Sequence, residues 1–164
     1  MITPKKLDRK VVDLLLERHT DEMDAFYFYA AAANWCESVG YLKLAAFFKK
    51  ESQDEREHAK LIEKYLTDWN VIPELGTVKA PKTTFKDIID IFSQAYKIEY
   101  ALYEAYEDTS KEMFNLDLCV FDFLTQFRKI QNDSVAEYST YLNKLALLNP
   151  TDTFQMLWFD QHFD

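Results

Sequence analysis

Apolar residues recur along this chain at helical spacing, and in four long stretches they line up in rows of positions seven apart. The rows read Leu15–Glu22–Tyr29–Cys36, Phe48–Glu55–Ile62–Trp69, Phe85–Phe92–Glu99–Tyr106–Met113 and Leu124–Gln131–Tyr138–Leu145. Residues seven apart share one face of a helix, so each row predicts a buried stripe. Near its middle each stripe carries one strongly polar side chain: Glu22, Glu55, Glu99 or Gln131. A lone polar residue in an apolar seam is often a register device. Four such breaks in four predicted helices are a shared departure from pattern, of the kind that marks a functional site.

The punctuation between the stripes sets their bounds. Thr3-Pro4 supplies a capping hydroxyl and a proline for a first helix running to about Glu37, and Gly40 breaks it. A second helix is expected from Tyr41 to Trp69. Asn70 to Thr84 holds Pro73, Gly76 and Pro81 and reads as the one long irregular stretch. Thr83 or Thr84 caps a third helix, Phe85 to about Phe114. After Asn115-Leu116-Asp117, with Asp117 as cap, a fourth reaches about Leu148. Asn149-Pro150-Thr151 then stops the chain and opens a short final helix ending near Phe163. Short links make helices one and two, and three and four, antiparallel hairpins. The long connection joins the hairpins as a crossover along the bundle, giving an all-α four-helix bundle with a fifth C-terminal helix. Residues 1–164 are expected to form a single domain.

Composition narrows the function by exclusion. With 48% hydrophobic and 16% aromatic residues the chain is no disordered polymer, and 2 glycines are too few for an all-β fold. A net charge of −9 argues against nucleic acid or anionic lipid as a partner. No stretch approaches 18 uninterrupted apolar residues, and Met1–Lys6 has no apolar signal region, so a soluble, cytoplasmic protein is expected. Cys36 and Cys119 stand in no paired spacing and are expected to be reduced core residues.

Burying an unpaired carboxylate is costly unless it is neutralised, paired or bound to a metal. Three such glutamates and a glutamine meeting in one core call for a cation. Glu55 and His58 are three residues apart on one helix face, so a carboxylate and an imidazole can grip the same ion. Carboxylate oxygens with one imidazole nitrogen suit ferrous iron, manganese or zinc.

From about Leu15 to Phe163 the chain resembles the bacterial non-haem ferritins. The matching segments are Glu22 with Tyr29 and Trp35, Asp54-Glu55-Arg56-Glu57-His58, Val78-Lys79-Ala80-Pro81, Tyr96-Lys97-Ile98-Glu99, Gln131, and Leu157-Trp158-Phe159-Asp160. The resemblance implies a ferritin-like fold and a ferroxidase that oxidises Fe(II) with dioxygen or hydrogen peroxide. It implies storage of the Fe(III) mineral inside a shell of 24 chains, a homo-oligomeric 24-mer. Carried over residue by residue, Glu22, Glu55 and His58 would hold a first iron. Glu55 would bridge to a second iron held by Glu99 with Gln131 beside it, two irons per chain. Tyr29 is expected to hydrogen-bond the bridging carboxylate or to donate an electron.

The departures from the family pattern matter as well. Gln131-Asn132-Asp133-Ser134 stands where many di-iron proteins repeat E-x-x-H, so the second iron is expected to have fewer ligands than the first. A third, cavity-side site would have Asp54 and Asp133, but Ile130 replaces a carboxylate, and Glu137 reaches it only with a local register shift. Arg56 stands where a bacterioferritin has its haem-ligating Met, so no haem is expected. The alternatives are a di-iron oxidoreductase of peroxidase or oxygenase type that keeps its metals, and a structural shell subunit. The aromatic runs Phe26–Tyr29 and Tyr96…Tyr106 are expected in core or subunit interfaces, and His19 and His162 at the surface or an interface.

Overall fold

The computed structural model describes residues 1–163, and its order is α1 (Arg9–Val39), α2 (Leu42–Asp68), α3 (Ile88–Leu116), α4 (Leu118–Leu145) and α5 (Thr153–Gln161). Strands are absent among the described residues. No helix of these residues is long and apolar enough to cross a membrane. The four long helices form the expected bundle of two antiparallel hairpins, and the rows of period seven face inward. Leu15, Glu22, Tyr29, Cys36, Phe48, Ile62, Phe92, Glu99, Tyr106, Met113, Leu124, Gln131 and Tyr138 are wholly buried. Each large apolar side chain so buried contributes roughly 1.5–3 kcal/mol. Trp69 is the exception: at the end of α2 its row has run past the bundle, and it is 39% exposed.

The helix ends follow local chemistry. Gly40 adopts a left-handed conformation (φ 93°), and Tyr41 N donates to Cys36 O at 2.9 Å, closing α1 as expected. Asn70 (φ 59°) ends α2 in the same way, Val71 N donating to Leu66 O at 3.0 Å. Asp117 both ends α3 and caps α4, its carboxylate accepting from Cys119 N and Val120 N.

Four boundaries differ from those read in the sequence. Thr3-Pro4 does not start α1, because the exposed residues around it have no bundle face to pack on; Asp8 caps the helix instead, accepting from Lys10 N at 2.9 Å. Thr83 and Thr84 do not cap α3. Phe85 is drawn into the core against Phe28 and Trp35, both 5.9 Å away, and Asp87 caps the helix through Asp90 N at 2.7 Å. α4 ends at Leu145 and α5 starts under Asp152, whose carboxylate accepts from Phe154 N and Gln155 N. After α5 stops at Gln161, Phe163 continues inward to meet Phe47 at 4.8 Å and Tyr141 at 4.9 Å.

Two contacts tie the periphery to the hairpins. The crossover lies against α1, where Lys79 N donates to Asp24 Oδ1 at 3.2 Å. At Gly76 a Cβ would stand 2.6 Å from Thr20 Oγ1, so this close approach admits only glycine without a shift of Thr20. α2 begins without a side-chain cap of its own; the buried Asp160 of α5 accepts from Leu44 N at 2.9 Å and supplies it. Cys36 is buried as expected and its thiol is pushed up to about 12, by burial first. Cys119 is exposed, contrary to expectation, because it sits in the first turn of α4 beyond the packed section of the bundle.

Candidate metal centre

α1 brings Glu22, and α2 brings Glu55 and His58, so that one ligand atom from each lies within 4.8 Å of the others. His58 Nδ1 stands 3.2 Å from Glu55 Oε2 and 3.4 Å from Glu22 Oε2. Glu22 is wholly buried, Glu55 is 4% exposed, and Glu99 and Gln131 are wholly buried beside them. With its amide nitrogen turned toward Glu99, Gln131 donates to Glu99 Oε2 at 2.8 Å and to the Glu99 carbonyl at 3.3 Å. Gln131 thus sits where it holds the Glu99 carboxylate.

A reciprocal pairing joins α1 to α3. Tyr29, seven residues after Glu22, donates its hydroxyl proton to Glu99 Oε1. Tyr106, seven residues after Glu99, donates to Glu22 Oε1. Because the two helices run antiparallel, each glutamate faces the other helix's tyrosine, and two buried acceptors are satisfied by one repeated motif. Tyr29 therefore bonds Glu99, not the expected bridging carboxylate Glu55. The Glu–Tyr spacing of seven was present in both rows, but which tyrosine meets which glutamate depends on helix pairing.

The charges are unevenly held. Burial, and then the Glu22 charge, push Glu55 well above the usual carboxylate range. Burial also works against a charged Glu22, but a proton on Glu55 shared toward it, the nearby His58 and the Tyr106 hydroxyl hold it below that range. Burial disfavours charge on His58, yet Glu22 outweighs it and lifts the imidazole above its usual value. Burial raises Glu99 to about 8 in spite of the Tyr29 hydrogen bond, with the Glu51 and Glu22 charges adding to the rise. Glu22 Oε2 has no hydrogen-bond partner among the described residues. Carboxylates this crowded need a proton or a cation to sit together. The donor set of hard oxygens with one imidazole nitrogen fits a divalent first-row ion.

Three neighbours of the centre were not singled out from the sequence. Tyr106 is one; the others are Glu51, one turn before Glu55, and Tyr138, whose hydroxyl donates to Glu51 Oε2 at 2.9 Å. Burial raises Glu51 to about 7. Their only signal was position: Tyr138 stands seven after Gln131, and Glu51 is four from Glu55. His19, expected at the surface, is 3% exposed one turn before Glu22, its Nε2 2.7 Å from Glu63 Oε1. Arg56 Nη1 donates to the same oxygen at 2.9 Å. His162 is exposed and stacks on Trp158 with centroids 4.4 Å apart. Asp54 and Asp133 are exposed, and Glu137 accepts from Tyr141. Of the tyrosines on α3, only Tyr106 reaches the centre; Tyr96, Tyr100 and Tyr103 stack on one another along the outer side.

A buried glutamate–histidine pocket at the middle of a crossover four-helix bundle defines the class of carboxylate-rich bundle metalloproteins. Residues 12–148 match the Ferritin family, described as the ferritin-like domain, and the chain belongs to that family. It is 28% identical over 143 residues to the bacterial non-heme ferritin of Campylobacter jejuni, covering 87% of this chain and 86% of that protein. It is 29% identical over 147 residues to the bacterial non-heme ferritin of Staphylococcus haemolyticus, covering 80% and 84%. In fold it is similar to the open pore ferritin of the hyperthermophilic archaeon Archaeoglobus fulgidus, with a TM-score of 0.90 over 96% of each chain at 19% identity.

Proposed function

We propose that this chain is an iron-storage ferritin whose bundle core oxidises Fe(II). Glu22, Glu55 and His58 hold a first ferrous ion, and Glu55 bridges to a second held by Glu99, which Gln131 orients. The observation that carries this reading is the convergence of Glu22, Glu55 and His58 within 4.8 Å, around a buried carboxylate oxygen without a partner among the described residues. Membership of the ferritin family supports it. Two irons held about 3.5–4 Å apart can each give dioxygen one electron. With two protons the product is hydrogen peroxide, which a further two electrons and two protons take to water. The proton shared by Glu22 and Glu55 and that on Glu99 leave as cations bind, since metal ligands must be deprotonated. Fe(III) then moves to a mineral inside a shell of 24 copies in the cytoplasm. The scarcity of ligands from α4 suits iron in transit rather than a permanent cofactor. Tyr29, on Glu99, is placed to give the centre an electron.

Aerobic Fe(II) loading followed by size-exclusion chromatography, with iron counted per chain, tests this. Iron far above two per chain on a shell-sized particle is expected. Iron that stops at two or fewer on a small oligomer would instead favour the oxidoreductase that keeps its metals.

A further inference from the structure

Three tyrosines lead away from the centre in a line that the proposed oxidation does not use. The Tyr29 and Tyr138 rings stack with centroids 6.2 Å apart and 23° between planes. Tyr138 and Tyr141 meet edge to face at 5.8 Å. Tyr29 and Tyr138 are wholly buried, and Tyr141 is half-buried. Each hydroxyl donates to a carboxylate of its own: Tyr29 to Glu99, Tyr138 to Glu51 and Tyr141 to the exposed Glu137.

Core packing accounts for the ring contacts, since aromatic pairs at these distances are ordinary in interiors. It does not account for three carboxylate acceptors in succession. Glu51 makes no ion pair among the described residues, so it is a costly way to satisfy a tyrosine that a backbone carbonyl would serve. Loss of an electron makes a phenol strongly acidic, so oxidation is accessible only where an acceptor can take the proton. Each of these tyrosines has one. Tyr106 marks the contrast: its hydroxyl also meets a carboxylate, but its ring stacks on Phe127 at 4.9 Å, a ring with no such proton to lose. That branch ends in the core.

We propose that Tyr138 and Tyr141, with Glu51 and Glu137 as their proton acceptors, relay single electrons from the surface of the chain to Tyr29. The proposal rests on the reading that the centre oxidises Fe(II) with dioxygen or peroxide. The oxidant at the centre takes one electron from Tyr29, whose proton moves to Glu99. Tyr138 then gives an electron to the Tyr29 radical; the Tyr138 proton passes to Glu51 as Glu99 returns its own to Tyr29. Tyr141 reduces the Tyr138 radical in the same way, its proton moving to Glu137 while Glu51 restores the Tyr138 hydroxyl. A ferrous ion at the surface reduces the Tyr141 radical, becoming ferric, and Glu137 returns the proton. Only O–H bonds break and re-form, every proton returns to its own tyrosine, and one electron crosses. Dioxygen needs four electrons to reach water, and the two irons of one centre supply two. The relay brings the others from iron that never enters the centre.

Freeze-quench electron paramagnetic resonance tests this. The assembled protein is loaded with two Fe(II) per chain, mixed with dioxygen or hydrogen peroxide, and followed with and without further Fe(II), with ferric absorbance read in parallel. In the native protein a tyrosyl radical is expected, and further Fe(II) should shorten its lifetime several-fold. In Tyr138→Phe the radical should form but no longer respond to further Fe(II). Glu51→Gln keeps the ring stack and removes the proton acceptor, and should reproduce that loss even if Tyr138→Phe folds poorly. Normal iron oxidation with no radical, or with a radical that responds in both variants as in the native protein, overturns the relay and leaves the ferroxidase reading standing. Absence of ferric absorbance overturns both.

Discussion

Replacing Glu99 by glutamine should stabilise the metal-free protein, although Glu99 sits at the heart of the core. The carboxyl is wholly buried and titrates at about 8, mainly because burial penalises its charge. An unfolded glutamate titrates near 4.5. Folding at pH 7 therefore requires Glu99 to take up a proton, at about 1.4 kcal/mol per pH unit between its unfolded pKa and the solution, or about 3 kcal/mol. A carboxamide of the same size needs no proton and still accepts from Tyr29, while the Gln131 amide can turn to suit it. For a chain of this length, a gain of that size corresponds to a rise in Tm of roughly 6–12 °C.

The sign of the pH dependence is fixed. A group whose folded pKa is raised contributes its full stability below pH 4.5 and loses it as pH rises toward 8. Glu99→Gln should thus match the parent near pH 4.5, pull ahead through the window to pH 8, and hold a constant lead above it. Thermal unfolding of the metal-free protein across that range, with chelator present, measures the lead. Anaerobic Fe(II) should reverse the order, because an ion that binds only the folded state stabilises the parent more. A variant less stable than the parent at pH 7 to 8 without metal, or a difference that ignores pH, would refute the reasoning. Glu99 would then be a structural hydrogen-bonding group, not a carboxylate retained at a cost for its charge.

Tyr106→Phe strips Glu22 Oε1 of its donor in a buried site, and should destabilise the metal-free protein by about 1–3 kcal/mol in urea unfolding. An unchanged midpoint would mean that water replaces the hydroxyl. Asp160→Ala removes the cap that α5 lends to the start of α2, at a cost of about 1–2 kcal/mol. It should also make the segment after Leu148 a preferred site in limited proteolysis, whereas Asp160→Asn, which keeps an acceptor, should behave nearly as the parent.

The long helices, their hairpin order and the polar interruption of each buried row were legible in the sequence, because these depend on spacing within a segment. Period-seven rows, Gly40 and Asp117 act over a few residues, and the same few residues settle their outcome. Glu22, Glu55, His58, Glu99 and Gln131 could be placed on inward faces for the same reason. Where a local signal competed with packing, packing prevailed: Thr3-Pro4 and Thr83-Thr84 offer caps, but the helices begin where their faces first meet the bundle. His19 gave no sign of burial because its partner Glu63 lies on another helix. The crossed Tyr29–Glu99 and Tyr106–Glu22 bonds, the Gln131 contact with Glu99, and the tyrosine line through Glu51 and Glu137 were decided by tertiary structure alone. Spacing along one helix states which way a side chain faces. Which group it then meets depends on the direction and register of a second helix, and on the cost of leaving a buried charge without a partner.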